Sequence, residues 1–600
     1  MMNKKSKRDK LRFFYENQGG GIKEKCEIPE ELFQQEVNIN PKSEVILIGP
    51  DREKRKEKDE YFVPNLHNGL FRIHAHLYEN QINSVMINCD IDNMEKAWES
   101  ISKYKPPFIA FSPYYDTMHN DLKNIEHALT LSPNSVIIIG GFEASLNPQW
   151  TSLGGLVDII VRGEGEFPLQ NIVQEYKKFS NKGESKTKKE FLEYLKDNSK
   201  IENIPAISIL EEGKTIPRKC ITERVDGEEY QKINLNAFQK HLELSPIGKY
   251  WELSRAMFGG KKDSYFRFVT SDHCPYKCIF CQSSIHHSSL IEKDIAPLRC
   301  ITPENVINII QAVSEKYPKM SILIDDDNFL VKRSHAIKTL EMIIEGKREG
   351  KIKKDLMFQC RARTDNINPD ICKILKEAGF KMISVGAESY SSKELEYMKK
   401  RTTPEQNLKA VKIMLENGIE VAEDFLLYTP VVTADTLYEN AKGICRDIGE
   451  FATDSAVGLF LSPLPSTELW GDGNFEKVEN FPYKKFFKDK VMFRNAKNGY
   501  EYIGTEIHIP RLNFNIPHPE IVLVKDSLMR NASLESIKYL PQAVEELKTI
   551  SPGVDMSRSF ITLSHLSAIS KVLKELTNEP RWSLLGEEIK KAAIGLKDKN

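Results

Sequence analysis

The run His273-Cys274-Pro275-Tyr276-Lys277-Cys278-Ile279-Phe280-Cys281 puts three thiols in a CxxxCxxC spacing directly after an apolar, strand-like stretch, Tyr265 to Val269. A loop of eight residues, Cys274 to Cys281, can wrap a single metal centre. Soft thiolates select zinc or an iron–sulfur cluster. A closed structural zinc site takes four protein ligands, the last usually from a second Cys or Cys/His pair at short spacing. None follows here: His286 and His287 are neighbours of one another, and Cys300 stands alone. Three ligands and one open position describe a centre that keeps a coordination site for something else.

Downstream, the chain repeats one strand–helix unit. Thr302-Pro303 opens a helix, Thr as N-cap and Pro in the first turn, with Val306, Ile309, Ile310 and Val313 as its buried stripe. Asn368-Pro369 opens a second that Gly379 closes, and Thr403-Pro404-Glu405-Gln406 is the capping box of a third that ends at Gly418. Strand-like runs lie between them at 321–324, 356–362, 382–387, 421–428 and 456–462. Consecutive units of this kind predict a full or partial parallel (β/α) barrel with its active site at the carboxyl ends of the strands. Alternation directs Gln359, Arg361 and Arg363, then Ser384, Gly386 and Glu388, into the barrel, and Phe358, Cys360, Ala362, Ile383, Val385 and Ala387 toward the helices. Inward charge is costly unless paired, so it marks either a polar ligand or an internal ion-pair network.

The cysteine loop and the segments after it resemble the radical S-adenosylmethionine (SAM) enzymes, whose CxxxCxφC motif, φ being aromatic, holds a 4Fe-4S cluster. The resemblance implies that Cys274, Cys278 and Cys281 ligate the cluster and that S-adenosyl-L-methionine chelates its fourth iron. It places Phe280 beside the adenine. Asp325-Asp326-Asp327-Asn328-Phe329 is similar to the DDNF turn of cobalamin-linked members, which gives Asp326 and Asp327 to the cofactor site. Arg363, two residues before Asp365, matches an Arg-x-Asp position. Gly386-Ala387-Glu388-Ser389 matches a GxES turn, implying ribose and methionyl contacts for Glu388 and Ser389, and Leu395, Met398 and Lys399-Lys400-Arg401-Thr402 continue that segment. Two loops depart from the pattern: Tyr428-Thr429-Pro430-Val431 stands where Gly-x-Pro-Gly is common, and Pro465-Ser466-Thr467 where Pro-Gly-Thr is common. Both border the substrate.

Upstream, short β-rich runs at 44–49, 84–88, 108–112, 136–141 and 157–162 alternate with amphipathic or charged segments. That grammar predicts a parallel sheet covered on both faces, Rossmann-like, with ligands outside the strands' carboxyl ends. Gly140-Gly141-Phe142-Glu143 and Arg162-Gly163-Glu164-Gly165-Glu166 fall at such ends, where glycine lets a backbone approach a bulky cofactor. Together with Asp158 and Pro64–Leu70, these stretches resemble the cobalamin-binding domain that precedes the radical domain in one large subfamily. The resemblance assigns Gly140, Gly141, Glu143, Gly163, Glu164 and Glu166 to cobalamin. The DxHxxG motif of histidine-ligated corrinoids is missing, since Asp51 is followed by Arg52-Glu53-Lys54, so no histidine is expected below the cobalt. His67, His74 and His76 read as ordinary helix residues.

The expected organisation is an N-terminal extension (1–40), a Rossmann-like cobalamin-binding domain (41–180), a connector (181–255) that includes a hairpin turning at Gly213, a radical SAM partial barrel (256–470) and a mainly helical C-terminal domain (471–600). In that last domain Phe481, Tyr483, Phe486, Phe487 and Phe493, interleaved with lysines, read as the core of a small helical unit that caps the barrel mouth. Lys+Arg 85 against Asp+Glu 86 leaves a net charge of −1, so no global field argues for nucleic acid or an anionic membrane. No apolar run reaches the roughly 18–20 residues of a membrane span, so no membrane insertion is expected. Ten sparse cysteines fit a reduced, cytoplasmic compartment with one metal site.

Family resemblance therefore implies a radical enzyme in which cluster and S-adenosylmethionine yield a 5′-deoxyadenosyl radical, an external one-electron reductant such as flavodoxin or ferredoxin feeds the cluster, and methylcobalamin C-methylates an unactivated carbon. Cyclisation or rearrangement without methyl transfer is the alternative within enzymes, and a redox-sensing iron–sulfur protein the alternative outside them. The substrate, whether small molecule, lipid or peptide, is open at this point.

Overall fold

The computed structural model describes residues 37 to 599 except 52–66, 90–91, 115–116, 147–155, 181–186, 197–203, 205–206, 212–213, 216–226, 245–264, 291–295, 319, 461–466, 469–474, 478–490, 496–500, 510–513, 524–526 and 552–557. The basic N-terminal stretch, Cys26, Cys220, the Gly213 turn, Phe481, Tyr483, Phe486 and Phe487 lie outside the described residues.

The first layer alternates β1 (Val45–Ile48), α1 (Asn68–Glu79), β2 (Ser84–Ile87), α2 (Met94–Tyr104), β3 (Phe108–Phe111), α3 (Met118–Leu131), β4 (Val136–Ile139), α4 (Phe142–Leu146), β5 (Ile159–Val161), α5 (Glu166–Ser180) and α6 (Lys188–Leu195). The strands pair in parallel in the order β2-β1-β3-β4-β5. Every residue of β1, β3, β4 and β5 is buried, as a sheet covered by helices on both faces requires. Alternation splits the side chains: Ile46, Ile48, Ile109, Phe111, Ile137 and Ile139 join the core under α2 and α3, while Val45, Leu47, Phe108, Ala110, Val136 and Ile138 join the core under α1, α5 and α6. Strand order reverses between β1 and β3, so a crevice opens at their carboxyl ends. The hairpin after α6, β6 (Ile207–Glu211) and β7 (Lys214–Thr215), adds two antiparallel strands to the β5 edge, so this stretch belongs to the sheet.

A helix, α7 (Gly227–Leu244), leads to the second layer. There β8 (Tyr265–Phe268), α8 (Ser283–Leu290), α9 (Pro303–Lys316), β9 (Ser321–Ile324), α10 (Arg333–Arg348), β10 (Phe358–Ala362), α11 (Pro369–Ala378), β11 (Phe380–Glu388), α12 (Ser392–Tyr397), α13 (Pro404–Glu416), β12 (Glu420–Tyr428), α14 (Ala434–Arg446) and β13 (Asp454–Phe460) follow in turn. The six strands are parallel and lie side by side in chain order, which is an open, partial barrel. The signals that start and stop its helices work as spelled: Thr302 accepts from the Asn305 N–H, Asn368 from the Ile371 N–H, and Thr403 with Gln406 forms a reciprocal capping box. Phe358, Cys360, Ala362, Ile383 and Val385 are buried under the helices, leaving Gln359, Arg361 and Ser384 on the inner face.

Residues 475–523 differ from the helical reading. They hold a four-stranded antiparallel sheet, β14 (Phe475–Lys477), β15 (Val491–Asn495), β16 (Glu501–Ile509) and β17 (Phe514–Leu523). The aromatic and β-branched residues of these runs are strand formers, and clustering of aromatics says nothing about period. Then come α15 (Ser527–Ile550), α16 (Arg558–Thr577) and α17 (Pro580–Lys599). These helices do not cap the mouth. Phe560, Leu563, Trp582 and Leu585 share one core with Leu437 and Ile444 of α14 and with Phe425 and Leu427 on the outer face of β12. Ser559 and Thr562 of α16 bond the backbone of Ser455 in β13 at 3.0 and 2.9 Å. They extend the barrel's outer helical layer.

Beneath β12, Glu423 is fully buried with Asp447, and the Tyr390 hydroxyl donates to both, at 3.2 Å to Glu423. Burial, and then the Asp447 charge, hold the Glu423 carboxyl well above the usual carboxylate range. The folded chain therefore keeps a proton that the unfolded chain releases. That contribution is complete below the ordinary value of 4.5 and is lost as pH rises through the raised folded value. Glu423→Gln, which does not titrate, is expected to gain melting temperature over the parent as pH goes from about 6 to about 9, at about 2–4 °C for each kcal/mol relieved. A parallel pair of pH curves would show that Glu423 is already ionised.

Candidate active site

The cysteine loop leaves β8 and enters α8. Its backbone is held by the Ile279 N–H on the Met398 carbonyl (3.1 Å) and the Cys281 N–H on the Cys278 carbonyl (3.0 Å). The Cys274 N–H donates to Ser283 Oγ (3.0 Å), whose hydroxyl donates to Asp327 (2.5 Å). All three cysteines are free, Cys278 buried and the others half-buried. Burial pushes the Cys274 thiol up and that of Cys281 to about 12, the backbone N–H groups of Tyr276 and Ser283 working against it. The thiolates also disfavour one another, so the three share one electrostatic neighbourhood. Such thiols ionise when a cation replaces their protons.

Among the described residues, Asp272, His273 and His287 also bring three ligand atoms within 4.8 Å of one another. The three free thiols of Cys274, Cys278 and Cys281 are the soft donors that an iron–sulfur cluster takes.

The three aspartates after β9 take three separate duties. Asp326 is 1% exposed and accepts from Thr270 N–H (2.5 Å), Thr270 hydroxyl (2.6 Å), Ser271 N–H (3.1 Å) and Ser271 hydroxyl (2.9 Å). It lies under the loop and buttresses it. Burial raises its carboxyl to about 6 despite these donors. Asp325 pairs with Arg361 (3.1 Å) and, more loosely, Arg267 (3.8 Å) on the inner barrel face. Asp327 reaches the cysteine loop through Ser283 and borders the cavity described below.

Arg363, 4% exposed, is aimed at the same loop. Its guanidinium lies 3.8 Å from the Tyr276 ring centroid, points Nη1 at the Cys278 sulfur (3.7 Å), donates to the Lys400 carbonyl (2.5 Å) and pairs with Asp365 (2.9 Å). Glu388 adopts a left-handed backbone, φ 63°, where the β11–β12 register shifts. A bulge of this kind re-aims a side chain, and Glu388 pairs with Lys400 at 2.8 Å. Ser389 is turned away: it is fully buried and donates to Glu394 and Asn440, both at 2.8 Å. Phe280, half-buried, packs on Ile279, Leu395 and Met398.

One cavity of about 990 Å³ lies between the two layers. The strand ends Leu47, Ala110, Ile138 and Val161, with Gly140, Gly141 and Gly163, form one wall, and Asp272, His287 and Asp327 belong to the other. This is the crevice at the switch point. Gly141 has φ +92°, and a Cβ there would stand 2.6 Å from the Ser112 hydroxyl, so only glycine fits. Ser145 joins the two glycine loops, donating to the Gly141 carbonyl (2.7 Å) and accepting from the Gly163 N–H (2.8 Å). The side-chain-free floor and the size suit a large flat cofactor such as a corrin. Glu143 is buried, and it is not among the cavity's lining residues. Glu164 and Glu166 line it but pair with Arg299 (2.5 Å) and Arg72 (2.9 Å). His67 packs against Tyr114, His74 bonds Ser84 (2.8 Å) and His76 bonds Gln170 (2.6 Å), and none of the three lines the cavity.

Four residues of this region carry no cofactor role in the sequence reading. Arg72, Tyr230, His286 and Arg299 all border the cavity. None belongs to a spaced motif, and their partners lie far along the chain. Only the adjacent pair His286-His287, five residues past Cys281, stood out as a local signal.

The B12 binding domain model matches residues 64–173, and the Radical SAM superfamily model matches residues 268–442. An uncharacterized methyltransferase of Pyrococcus horikoshii is 24% identical over 373 residues, 62% of this chain and 70% of that protein. The anaerobic magnesium-protoporphyrin IX monomethyl ester cyclase of Rubrivivax gelatinosus is 23% identical, covering 68% of this chain and 65% of its own, and the hopanoid C-2 methylase of Rhodopseudomonas palustris is 30% identical, covering 33% and 36%. Among solved structures, the cobalamin-dependent S-adenosylmethionine radical enzyme OxsB, with aqua-cobalamin and S-adenosylmethionine bound, aligns over 90% of this chain and 74% of its own (TM-score 0.60, 16% identity). The radical S-adenosylmethionine methyltransferase TsrM from Kitasatospora setae, with cobalamin and a 4Fe-4S cluster bound, aligns over 71% and 77% (TM-score 0.51, 13% identity). Two domain models in tandem and an α/β fold shared with both enzymes agree, with Asp272 and Asp327 beside the cysteine loop lining the wall opposite the glycines: the chain belongs to the radical S-adenosylmethionine enzymes that carry a cobalamin-binding domain.

Proposed function

We propose that this radical SAM enzyme C-methylates an unactivated carbon of its substrate, with Cys274, Cys278 and Cys281 holding the cluster and the crevice floored by Gly140, Gly141 and Gly163 holding cobalamin. The observation that carries the reading is the single cavity bordered by both the glycine loops and the Asp272 and Asp327 ends of the cysteine loop's support. When bound, the cluster supplies an electron to the sulfonium of S-adenosylmethionine and cobalamin supplies the methyl group. The chain's part is placement. Arg363 sets a fixed positive charge beside the Cys278 sulfur and locks the Tyr276 side of the loop. The Glu388–Lys400 pair, with side chains 12% and 7% exposed, offers a carboxylate and an ammonium for the zwitterionic and ribose ends of S-adenosylmethionine. Phe280, backed by Leu395 and Met398, gives an apolar face for the adenine. Flavodoxin or ferredoxin is the expected reductant, in a reducing compartment such as the cytoplasm. Among the described residues, no helix is long and apolar enough to cross a membrane.

Ring closure is the competing outcome, because two of the similar proteins carry the name of a cyclase. Anaerobically reconstituted protein, loaded with cobalamin and reduced with S-adenosylmethionine, is expected to form 5′-deoxyadenosine and S-adenosylhomocysteine together. Deoxyadenosine with no S-adenosylhomocysteine would overturn methyl transfer and favour cyclisation or rearrangement.

A further inference from the structure

The loops assigned to the two cofactors come from different layers, and one guanidinium joins them. Arg299 is held to the approach of the cysteine loop by its backbone: its N–H donates to Asp272 Oδ1 (3.1 Å), its carbonyl accepts from the Asp272 N–H (3.2 Å), and Ser271 and Cys300 pair as a β-bridge. The Arg299 side chain, 9% exposed, then forks. Nε donates to Asp272 Oδ2 (2.8 Å), and Nη2 reaches Glu164 (2.5 Å) in the Arg162–Glu166 loop of the first layer, 135 residues away. Two residues on, the same loop is tied a second time through Glu166 to Arg72.

Both guanidiniums lie over the ring of Tyr230 of α7, 1% exposed, with Arg299 at 4.4 Å and Arg72 at 5.5 Å from its centroid. The neighbouring glycine loop is docked separately, Phe142 stacking on His286 of α8 at 4.1 Å and 12°. A planar fork bridging two carboxylates fixes both distance and angle, which a flexible ammonium does not. Desolvated as it is, the pair is not screened away by salt.

We infer that Arg299 is a positioning residue that sets the separation of the cobalamin-side and cluster-side loops, with Arg72 and Tyr230 as its backing, so that it governs passage between the cofactors. The inference rests on the cofactor assignment proposed above. It makes α7 part of the catalytic frame, where its sequence reads only as a connector.

The test uses the full chain, reconstituted with iron and sulfide and loaded with cobalamin, as parent, Arg299→Gln and Arg299→Lys. Iron content is expected to stay within about twofold and 5′-deoxyadenosine formation to persist, with bound cobalamin measured in each variant and products compared per bound cobalamin. The ratio of S-adenosylhomocysteine to 5′-deoxyadenosine is expected to fall at least about tenfold in Arg299→Gln and by less in Arg299→Lys, which keeps the charge and loses the fork. Relaxation enhancement of the cobalt spin by the reduced cluster, which reports their separation directly, should weaken in the same order. Unchanged ratio and relaxation in Arg299→Gln would overturn the inference. If the parent itself binds no cobalamin, the cofactor reading fails, and amide exchange on the cofactor-free chain decides the clasp alone: residues 162–166 exchanging at least about tenfold faster in Arg299→Gln supports it, and parental exchange overturns it. Glu164→Gln should reproduce that exchange, and the double variant should add nothing further.

Discussion

Cys278→Ala is expected to give a folded chain that binds little iron and forms no detectable 5′-deoxyadenosine, a loss of at least about a thousandfold, because the radical step has no other source. Of the three thiols, Cys278 is the buried one and the one Arg363 faces. Its loss leaves Cys274 and Cys281, two ligands that cannot hold a cubane against buffer and thiol competitors. The fold should survive, since the loop's backbone bonds involve Met398 and the Cys278 carbonyl, which alanine keeps. Circular dichroism and melting temperature near the parent's, with iron and deoxyadenosine lost, are the expected pair of readings. A variant that retained deoxyadenosine would move the cluster to other ligands. Cys300→Ala is the matched control: Cys300 bridges Ser271 through its backbone, and that bridge does not require the thiol.

Much of this was legible because parallel sheets and spaced cysteines speak locally. Strand alternation assigned Cys360 and Val385 to the helices and Arg361 to the interior, since each strand has two faces and one is apolar. The helix ends announced themselves through Thr302, Asn368 and Thr403, whose caps act within three residues. What stayed hidden depends on direction or on distance. The identity of Asp326 matched a turn, and Ser389 matched another, yet each side chain points into the protein and bonds there. A motif fixes which residue stands at a position. It does not fix which way a bulged or turning backbone aims it, as the left-handed Glu388 shows. Arg299 and Glu164 find each other only after two layers have folded and docked, so no window of sequence contains their partnership.

Asp326→Ala is expected to be the most destabilising change at the site without touching a cluster ligand. The carboxylate answers four donors on two consecutive residues, Thr270 and Ser271, which lie just past the end of β8 at the entry to the cysteine loop. Alanine would leave two backbone N–H groups and two hydroxyls buried without their acceptor. At about 1–3 kcal/mol for each unsatisfied group, softened by hydroxyl rotation and water entry, a net cost of about 3–5 kcal/mol follows. Asp326→Asn is expected to cost less, since its oxygen can keep the two backbone N–H groups and the two hydroxyls can rotate to accept from its amide. The raised carboxyl adds a pH signature. With a folded value of about 6 against 3.8 when free, Asp326 stabilises fully below 3.8 and loses that contribution as pH rises toward 6. The stability gap between parent and Asp326→Ala should therefore be widest in acid and narrow toward neutrality. Thermal unfolding at several pH values checks the slope, and iron content after reconstitution checks the consequence. If Asp326 contacts S-adenosylmethionine instead, Asp326→Ala would melt like the parent and fail only in binding that cofactor. The hydrogen bonds predict the opposite order: the loop loosens first, the cluster is lost with it, and S-adenosylmethionine binding fails because its iron is gone.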